Sequence, residues 1–256
     1  MSESLLTEQH GPVLVMTLHR PEARNALNTE LLAALAGACQ EADADEAVRV
    51  LLIQGSGEHF AAGADINEIA DKTTVDGLTD PRRQYWQTLQ ALRKPVIAAV
   101  EGFCLGGGCE LALGADLLVV AEDAKLGQPE VRLGLIPGAG GLQRLAATIG
   151  RARAMRLGLT GEQISGQQAF DWGLASHLTP PGQARAEALA LAEKLGRGAP
   201  LAQQLVKAAV LSATDDLHAT GRRQSRSHFE QLLSSADKAE GIAAFRDQRK
   251  PDFRGQ

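Results

Sequence analysis

The chain has 256 residues, of which 44% are hydrophobic and 22% are charged, and its formal net charge is −5. This composition is typical of a folded globular protein and argues against intrinsic disorder. The acidic balance argues against a nucleic-acid partner, which generally requires a basic surface. The densest basic cluster is Arg222, Arg223 and Arg226, which lies among polar helical residues, so we expect a solvated helix face there.

No apolar run reaches the roughly 18–20 residues that cross a bilayer, so we expect no membrane segment. The first ten residues lack the basic and apolar regions of a secretory signal. Three cysteines, Cys39, Cys104 and Cys109, show no disulfide-framework spacing, which predicts reduced thiols and a cytoplasmic protein. Cys109 borders a glycine-rich stretch, but we favour a buried packing role over a nucleophile because no histidine is near it in sequence.

Short apolar runs and helical periodicity predict an α/β chain. Residues 13–18 predict a strand, and the apolar spacing from Leu27 to Glu41 predicts a helix with Asn28 as its N-cap. Three later apolar runs of strand length predict buried strands at Val48–Ile53, Val96–Val100 and Leu117–Ala121. Each run leads into a turn, so we expect the three loops to meet at one edge of a sheet.

The second half of the chain is predicted to be mainly helical. Residues 71–81 predict a loop before a helix from Arg82 to Leu92, and short helices follow near 151–159 and 165–175. From Ala184 onward we expect helices with breaks at Gly196–Pro200 and Thr214–Asp216. We divide the chain into a core, 1–195, that holds the active site, and a helical region, 196–256, too short for a core of its own.

Three segments contain the residues best suited to chemistry: residues 60–66, residues 105–111, and residues 127–141. Glycines before a helix leave backbone N–H groups free to approach a ligand. Two such groups from neighbouring strand ends could meet at one carbonyl oxygen, as an oxyanion hole requires. The six histidines lack metal-ligand spacing, and no phosphate-loop, dinucleotide or serine-elbow motif is present, so we predict no metal site.

Two carboxylates, Glu110 and Glu130, accompany these glycines. The pair could perform general acid–base catalysis. Alternatively, Glu110 could be an acid favoured by the dipole at a helix start, and Glu130 a solvated loop residue. The residues alone leave both interpretations open.

Four segments together resemble the crotonase family of enoyl-CoA hydratases and isomerases: RPEARNALN, FAAGADI, KPVIAAVEGFCLGGGCELAL and GQPEVRLGLIPGAGGLQRL. The resemblance extends from about Val13 to Phe253. It implies a spiral of ββα turns with a C-terminal helical trimerisation region, assembled as a homotrimer or as a hexamer of two trimers. It implies hydration of a 2-enoyl-CoA in fatty-acid β-oxidation or phenylacetate degradation. Coenzyme A belongs to that acyl-CoA substrate, so no separate cofactor is expected.

The resemblance also assigns roles to individual residues. It places the oxyanion hole at the N–H groups of Ala64 and Gly107, the acid–base pair at Glu110 and Glu130, and Gly138 beside the water and Glu130. The other implied substrate contacts are Arg24, Ala26, Ala62, Asp65, Ile66, Asn67 and, from a neighbouring subunit, Phe245.

Both glutamate positions are filled, which favours a hydratase. A Δ3,Δ2-enoyl-CoA isomerase working through one carboxylate, and a non-catalytic binding protein of the same fold, are the alternatives. Lysines common in the family are absent at Glu22, Asn67 and Gln248, so Arg24 is the expected contact for the CoA phosphates.

The helix that carries Arg82, Arg83 and Trp86, with the ending AFRDQRKPDF, resembles family hydratases whose enoyl substrate ends in a carboxylate. Arg82 or Arg83 could then reach the acyl pocket and pair with that carboxylate. The alternative, which we prefer at this point, is a solvated arginine pair on a lid helix.

Overall fold

Parallel strands form the centre of the molecule. A computed structural model describes residues 3–255, apart from the side chains of residues 213–220. The strands in this range are β1 (Leu5–His10), β2 (Val13–Leu18), β3 (Val50–Gly55), β4 (Val96–Val100), β5 (Phe103–Leu105), β6 (Leu117–Ala121), β7 (Lys125–Gly127), β8 (Gln163–Ser165) and β9 (His177–Thr179). The helices are α1 (Thr29–Ala44), α2 (Ile66–Ile69), α3 (Thr74–Leu78), α4 (Arg82–Gln90), α5 (Gly107–Leu113), α6 (Gly141–Thr160), α7 (Gly166–Asp171), α8 (Ala184–Gly196), α9 (Pro200–Leu232) and α10 (Ala236–Arg246).

The main sheet has six strands in the order β1-β2-β3-β4-β6-β9. All neighbours pair in parallel except β1 and β2, which are antiparallel. The four predicted strands are therefore confirmed, and β3, β4 and β6 lie side by side so that their carboxyl ends meet at one edge. A second sheet, β5-β7-β8, continues from that edge. Successive turns of the chain thus bring their loops together, as the spacing predicted.

The core consists of aliphatic side chains between the main sheet and the helices on it. β4 is buried along its whole length, and α1 and α8 lie against the sheet. The three cysteines are free thiols buried in the protein, which confirms the packing role predicted for Cys109. Burial raises the pKa of the Cys39 thiol to about 12, so this thiol is held in its protonated form.

The predicted helix with Asn28 as N-cap is confirmed as α1, because the Asn28 side chain accepts a hydrogen bond from Leu31 N at 2.8 Å. The loop predicted for residues 71–81 is wrong, since α3 forms within it. Thr73 and Asp76 make a reciprocal capping box at its start. The single turn that follows was too short to produce a helical periodicity.

Other predicted boundaries need correction. The helix expected near 151–159 is the second half of α6, which starts at Gly141 and bends at Gly150, where φ is 79°. The break at Gly196–Pro200 is confirmed between α8 and α9. The break at Thr214–Asp216 is wrong, because α9 continues through those residues to Leu232.

The C-terminal helices pack on the loops at the carboxyl edge of the sheet. Phe229 of α9 and Leu233, the C-cap residue of this helix, form a small apolar cluster with Ile69 and Leu135. The ammonium group of Lys238, on α10, donates to the carbonyl oxygens of Ala70 and Lys72, at 2.7 and 3.0 Å. The end of the chain therefore forms one wall above the sheet edge.

Among the residues that the structure describes, no helix combines the length and the apolar character that a bilayer crossing needs. Those residues also contain no group of three or more histidine, cysteine, aspartate or glutamate side chains arranged to hold a metal ion.

Replacing Asn28 with alanine should lower the free energy of unfolding by about 0.5–2 kcal/mol, because the N–H group of Leu31 loses its acceptor. Urea denaturation of the parent, Asn28→Ala and Asn28→Ser measures this difference. The serine variant retains a capping oxygen and should lie within a few tenths of a kcal/mol of the parent. Equal losses in both variants would contradict the capping role.

Candidate active site

Two backbone N–H groups face one space at the carboxyl edge of the sheet. Ala64 follows β3, and its segment bridges in parallel with Leu27 through the hydrogen bonds Leu27 N to Gly63 O and Asp65 N to Leu27 O. Gly107 is the first residue of α5 and so has no intrahelical acceptor. Within the part of the chain that is described, neither Ala64 N–H nor Gly107 N–H has a protein acceptor.

Glycines at the start of α5 allow this helix to lie close to the loop after β3. A Cβ atom on Gly108 would lie 2.5 Å from the carbonyl oxygen of Ala61, which no side chain tolerates. Gly106 has φ of 50° and ψ of −126°, a conformation that favours glycine, and a Cβ there would meet a Glu130 oxygen at 3.1 Å. The glycine run therefore brings the start of α5 against the loop after β3 and leaves room for Glu130.

Glu110, in the first turn of α5, is only 5% exposed. Its Oε1 accepts hydrogen bonds from Ala139 N at 2.7 Å and from Gly141 N at 2.9 Å. Burial raises the pKa of Glu110, while these N–H groups favour the ionised form and oppose that rise. The carboxylate is thus fixed in position by the loop that leads into α6.

Glu130 lies in the short 3₁₀ segment Pro129–Leu133, directly after β7 and Gln128. Burial raises the pKa of Glu130 well above its ordinary value, and the negative charge of Glu110 raises it further. The buried Gln128 amide, oriented with its nitrogen toward Glu130, is 3.1 Å from Oε1. Two carboxyl groups with different hydrogen-bond partners therefore share one site, an arrangement suited to acid–base chemistry.

A cavity of about 120 Å³ lies between these groups. The structure brings seven of the predicted site residues to its lining: Ala62, Ala64, Ile66, Gly107, Glu110, Glu130 and Gly138. Aliphatic side chains complete the wall: Leu27, Leu32, Ile69, Leu133, Leu135 and Ile136. The cavity combines an apolar wall with two convergent carboxylates and two backbone donors, as small-molecule sites commonly do.

Five predicted site residues lie outside this cavity. Asp65 caps α2 and pairs with Arg20 at 3.0 Å, and Ala26 O accepts a hydrogen bond from the same arginine. Asn67 accepts a hydrogen bond from Arg246. Arg24 lies on the surface over the Phe103 ring, and Phe245 is 60% exposed. The contacts of these five residues with CoA stay predictions.

The expectation of a solvated arginine pair is wrong for Arg82. Its guanidinium is buried and donates to both carboxylate oxygens of the buried Asp80, and Lys72 pairs with the same aspartate at 2.8 Å. These cations hold the pKa of Asp80 well below its ordinary value. Arg82 lines the cavity, but its Nε and Nη2 atoms, which could bind a carboxylate in bidentate form, already donate to Asp80. Arg83 is 42% exposed and lies 3.4 Å from Glu230.

The solvated helix face expected for the basic cluster is wrong for Arg226, whose side chain is 14% exposed and lines the cavity with Phe229. The guanidinium lies over the Phe229 ring, with its carbon 5.2 Å from the ring centre. Sequence reasoning missed both residues as part of the site. The sequence signal was limited to helical spacing, which places Arg222, Arg226, Phe229 and Leu233 on one face without showing where that face packs.

Comparisons with known proteins show the family to which the chain belongs. Residues 8–256 match the family model described as enoyl-CoA hydratase/isomerase. The chain is 45% identical over 256 residues to 2,3-dehydroadipyl-CoA hydratase of Escherichia coli K12, and the match covers 100% of both chains. It is 44% identical over 252 residues to a probable enoyl-CoA hydratase of Rhizobium meliloti, covering 98% of each.

A solved structure of a carnitinyl-CoA dehydratase from Mycobacterium avium 104 superposes with a TM-score of 0.88 at 38% identity, covering 100% of both chains. The chain therefore belongs to the enoyl-CoA hydratase/isomerase family, and its mixed α/β fold is the crotonase fold. Among its relatives, the match to the 2,3-dehydroadipyl-CoA hydratase spans the whole length of both proteins.

Glu130→Gln should stabilise the protein near neutral pH. A carboxyl group whose pKa is raised by folding binds more protons in the folded state than in the unfolded chain, so stability falls as pH rises above the ordinary value of 4.5. Glutamine does not ionise and so removes this loss of stability. The loss amounts to about 1.4 kcal/mol for each unit by which folding raises the pKa of Glu130.

Urea denaturation at about pH 4 and about pH 7 measures the effect. The variant should gain stability over the parent at the higher pH only. Glu122→Gln, at an exposed glutamate, is the control and should show no such gain. A Glu130→Gln protein no more stable than the parent near pH 7 would contradict the cost assigned to the buried carboxyl.

Proposed function

We propose that the protein adds water across the C2=C3 bond of a 2-enoyl-CoA thioester, as a hydro-lyase. The observation that carries this proposal is the convergence of Glu110, Glu130 and two backbone donors on one apolar cavity. Full-length similarity to proteins named enoyl-CoA hydratases supports it. In this proposal CoA arrives as part of the substrate, and no separate cofactor takes part.

The thioester oxygen would bind the N–H groups of Ala64 and Gly107. Negative charge moves onto this oxygen when a nucleophile adds to C3, because the carbonyl conjugates with the double bond. Donors already fixed by the backbone stabilise that enolate-like state without reorganisation, typically by a factor of about 10²–10³ for each donor.

Water would lie between the two glutamates. Glu110 accepts two backbone N–H bonds that favour its ionised form, so it suits the base that takes a proton from water. Glu130 has the strongly raised pKa and suits the acid that delivers a proton to C2. The oxygen of water bonds to C3 as the C2=C3 electron pair moves toward C2 and the thioester oxygen.

We propose 2,3-dehydroadipyl-CoA as the substrate, because the relative of that name matches the full length of the chain. Loss of the absorbance of the conjugated thioester, measured with this compound and with crotonyl-CoA, tests the proposal. A preference for dehydroadipyl-CoA supports a place in phenylacetate degradation, and a preference for crotonyl-CoA points to β-oxidation. No loss with either would contradict hydration and favour the isomerase or the binding protein.

Glu110→Gln and Glu130→Gln should each lower kcat by about 10²–10⁴-fold on the preferred substrate, because each removes one proton-transfer group. The Glu122→Gln protein serves as the matched control and should retain parental turnover. Circular dichroism confirms that the variants fold. A Glu110→Gln enzyme with near-parental rates would contradict the two-carboxylate mechanism and fit an isomerase that works through Glu130 alone.

We further propose a cytoplasmic homotrimer, or a hexamer of two trimers, in which residues 196–256 form the contacts. The first half of α9 supports this arrangement, because it carries four exposed aliphatic side chains: Leu201, Leu205, Val206 and Val210. Val206 and Val210 border a groove of about 750 Å³ whose other wall includes Leu113 and Leu195. Apolar surfaces of this kind commonly mark protein–protein contacts.

Val206→Glu should reduce the assembly to smaller species, because it places a charge in a desolvated contact. Val75→Glu is the matched control, since this valine on α3 is exposed to a similar extent, 69% against 64%. Light scattering coupled to size-exclusion chromatography reports the mass of each protein. A parental protein that elutes as a monomer, or a Val206→Glu protein of unchanged mass, would contradict the proposal.

A further inference from the structure

A second chamber adjoins the catalytic cavity. It has a volume of about 240 Å³ and shares four lining residues with the cavity: Trp86, Gly138, Ala139 and Arg226. The shared wall includes the peptide of Ala139, whose N–H group binds Glu110 and whose carbonyl oxygen accepts a hydrogen bond from Gln90. The two spaces therefore meet at Ala139, the residue whose N–H group binds Glu110.

The lining of this chamber is strongly basic. Four arginines line it: Arg83, Arg222, Arg223 and Arg226. The amide side chains of Gln87 and Gln90 add neutral hydrogen-bond donors. Among the lining residues that the structure describes, none is an aspartate or glutamate. The concentration of guanidinium groups at the end of an apolar cavity favours an anion in the chamber.

Two of the four arginines are held in place by one buried acid. Glu230 is 4% exposed, and its Oε1 lies 2.7 Å from Arg226 Nε and 3.4 Å from Arg83 Nη1. Arg226 also donates to Gly77 O at 3.4 Å. These contacts use part of the donor set of each guanidinium and fix its orientation, so the groups are arranged before a ligand arrives.

We propose that this chamber binds a carboxylate at the far end of the acyl chain, with Arg226 at the junction of the two spaces as the main specificity-determining residue. The inference rests on the proposed hydration of enoyl-CoA thioesters and specifies the substrate class, a dicarboxylic enoyl chain. Arg82 does not take this role, because Asp80 already binds its guanidinium in bidentate form. Arg83 contributes from the chamber wall.

The chamber discriminates by charge. A carboxylate that enters it exchanges water for charge-assisted hydrogen bonds, whereas a methyl group leaves the arginines desolvated without a new partner. Sites built to bind a polar group generally reject the analogue that lacks it more strongly than apolar pockets reject an added group. The protein should therefore prefer the dicarboxylic chain over a monocarboxylic chain of equal length.

The test compares 2,3-dehydroadipyl-CoA with 2-hexenoyl-CoA, which has the same number of acyl carbons and a methyl end. The parent should show a higher kcat/KM for dehydroadipyl-CoA. Arg226→Gln should lower the ratio of the two kcat/KM values by about 10–100-fold, the range expected for a charge-assisted hydrogen bond. Arg226→Lys should recover part of the ratio. A ratio below one in the parent, or one unchanged in Arg226→Gln, would overturn the inference.

Arg153→Gln is the matched control, because this exposed arginine stacks on Trp172 outside both cavities and should leave the ratio unchanged. If Arg226→Gln fails to fold, Arg223→Gln and Arg83→Gln take its place, with an expected loss of several-fold. If these two folded variants keep the parental ratio, the chamber does not bind the carboxylate.

A binding measurement separates this inference from the proposed function. Adipyl-CoA and hexanoyl-CoA lack the double bond, so calorimetric titration compares their affinities without chemistry. Tighter binding of adipyl-CoA that disappears in Arg226→Gln supports the chamber even if no substrate is hydrated, in which case the proposed function alone fails. Hydration of 2-hexenoyl-CoA with equal affinities for the two saturated thioesters overturns the chamber and leaves the hydratase intact.

Discussion

The pair of hydrogen bonds from Ala139 and Gly141 to Glu110 holds the site together. Glu110 belongs to the helix that starts at Gly107, whereas Ala139 lies in the loop before α6 and Gly141 is the first residue of α6. One carboxylate therefore connects the helix that begins at Gly107 with the segment that forms part of the cavity wall. The same carboxylate accepts hydrogen bonds from two buried N–H groups, which would be costly to bury without an acceptor.

Several polar groups near this contact are placed in positions that lower the stability of the folded protein. Two carboxyl groups lie in a small apolar space, and two N–H groups point at it with no acceptor from the described chain. The burial of the aliphatic core, in which β4 is buried along its whole length, offsets the unfavourable free energy of placing these groups there. Such sites are stabilised by their surroundings and become favourable only when a ligand supplies the missing charge or acceptor.

The sequence predicted elements whose apolar residues follow a repeated pattern. It was less informative for short or exposed elements and for contacts between distant segments. The strands were predictable because β2, β3, β4 and β6 are continuous apolar runs. The glycines and glutamates that follow those runs marked the candidate segments, but the residues alone left their roles open. The roles proposed for Ala64, Gly107, Glu110 and Glu130 came from the resemblance to the family. β1 was missed because most of its side chains face solvent. Arg226 and Phe229 were missed as site residues because their helix lies far along the chain, and only tertiary packing brings it to the cavity. The pairing of Arg82 with Asp80 was also not predicted, because the proximity of two charged residues in sequence does not show that their side chains are buried.

The long helix α9 serves two regions at once. Its first half presents aliphatic side chains to solvent, and its second half contributes Phe229 and Arg226 to the cavity. The two carboxylates of the cavity, Glu110 and Glu130, instead lie at the sheet edge, more than ninety residues before Arg226 in the chain. If Arg226 sets the selectivity for the acyl chain as proposed, substitutions on one late helix can change this selectivity while Glu110 and Glu130 stay constant. Such substitutions are limited by the other role of α9, because the same helix also packs on the loops at the carboxyl edge of the sheet.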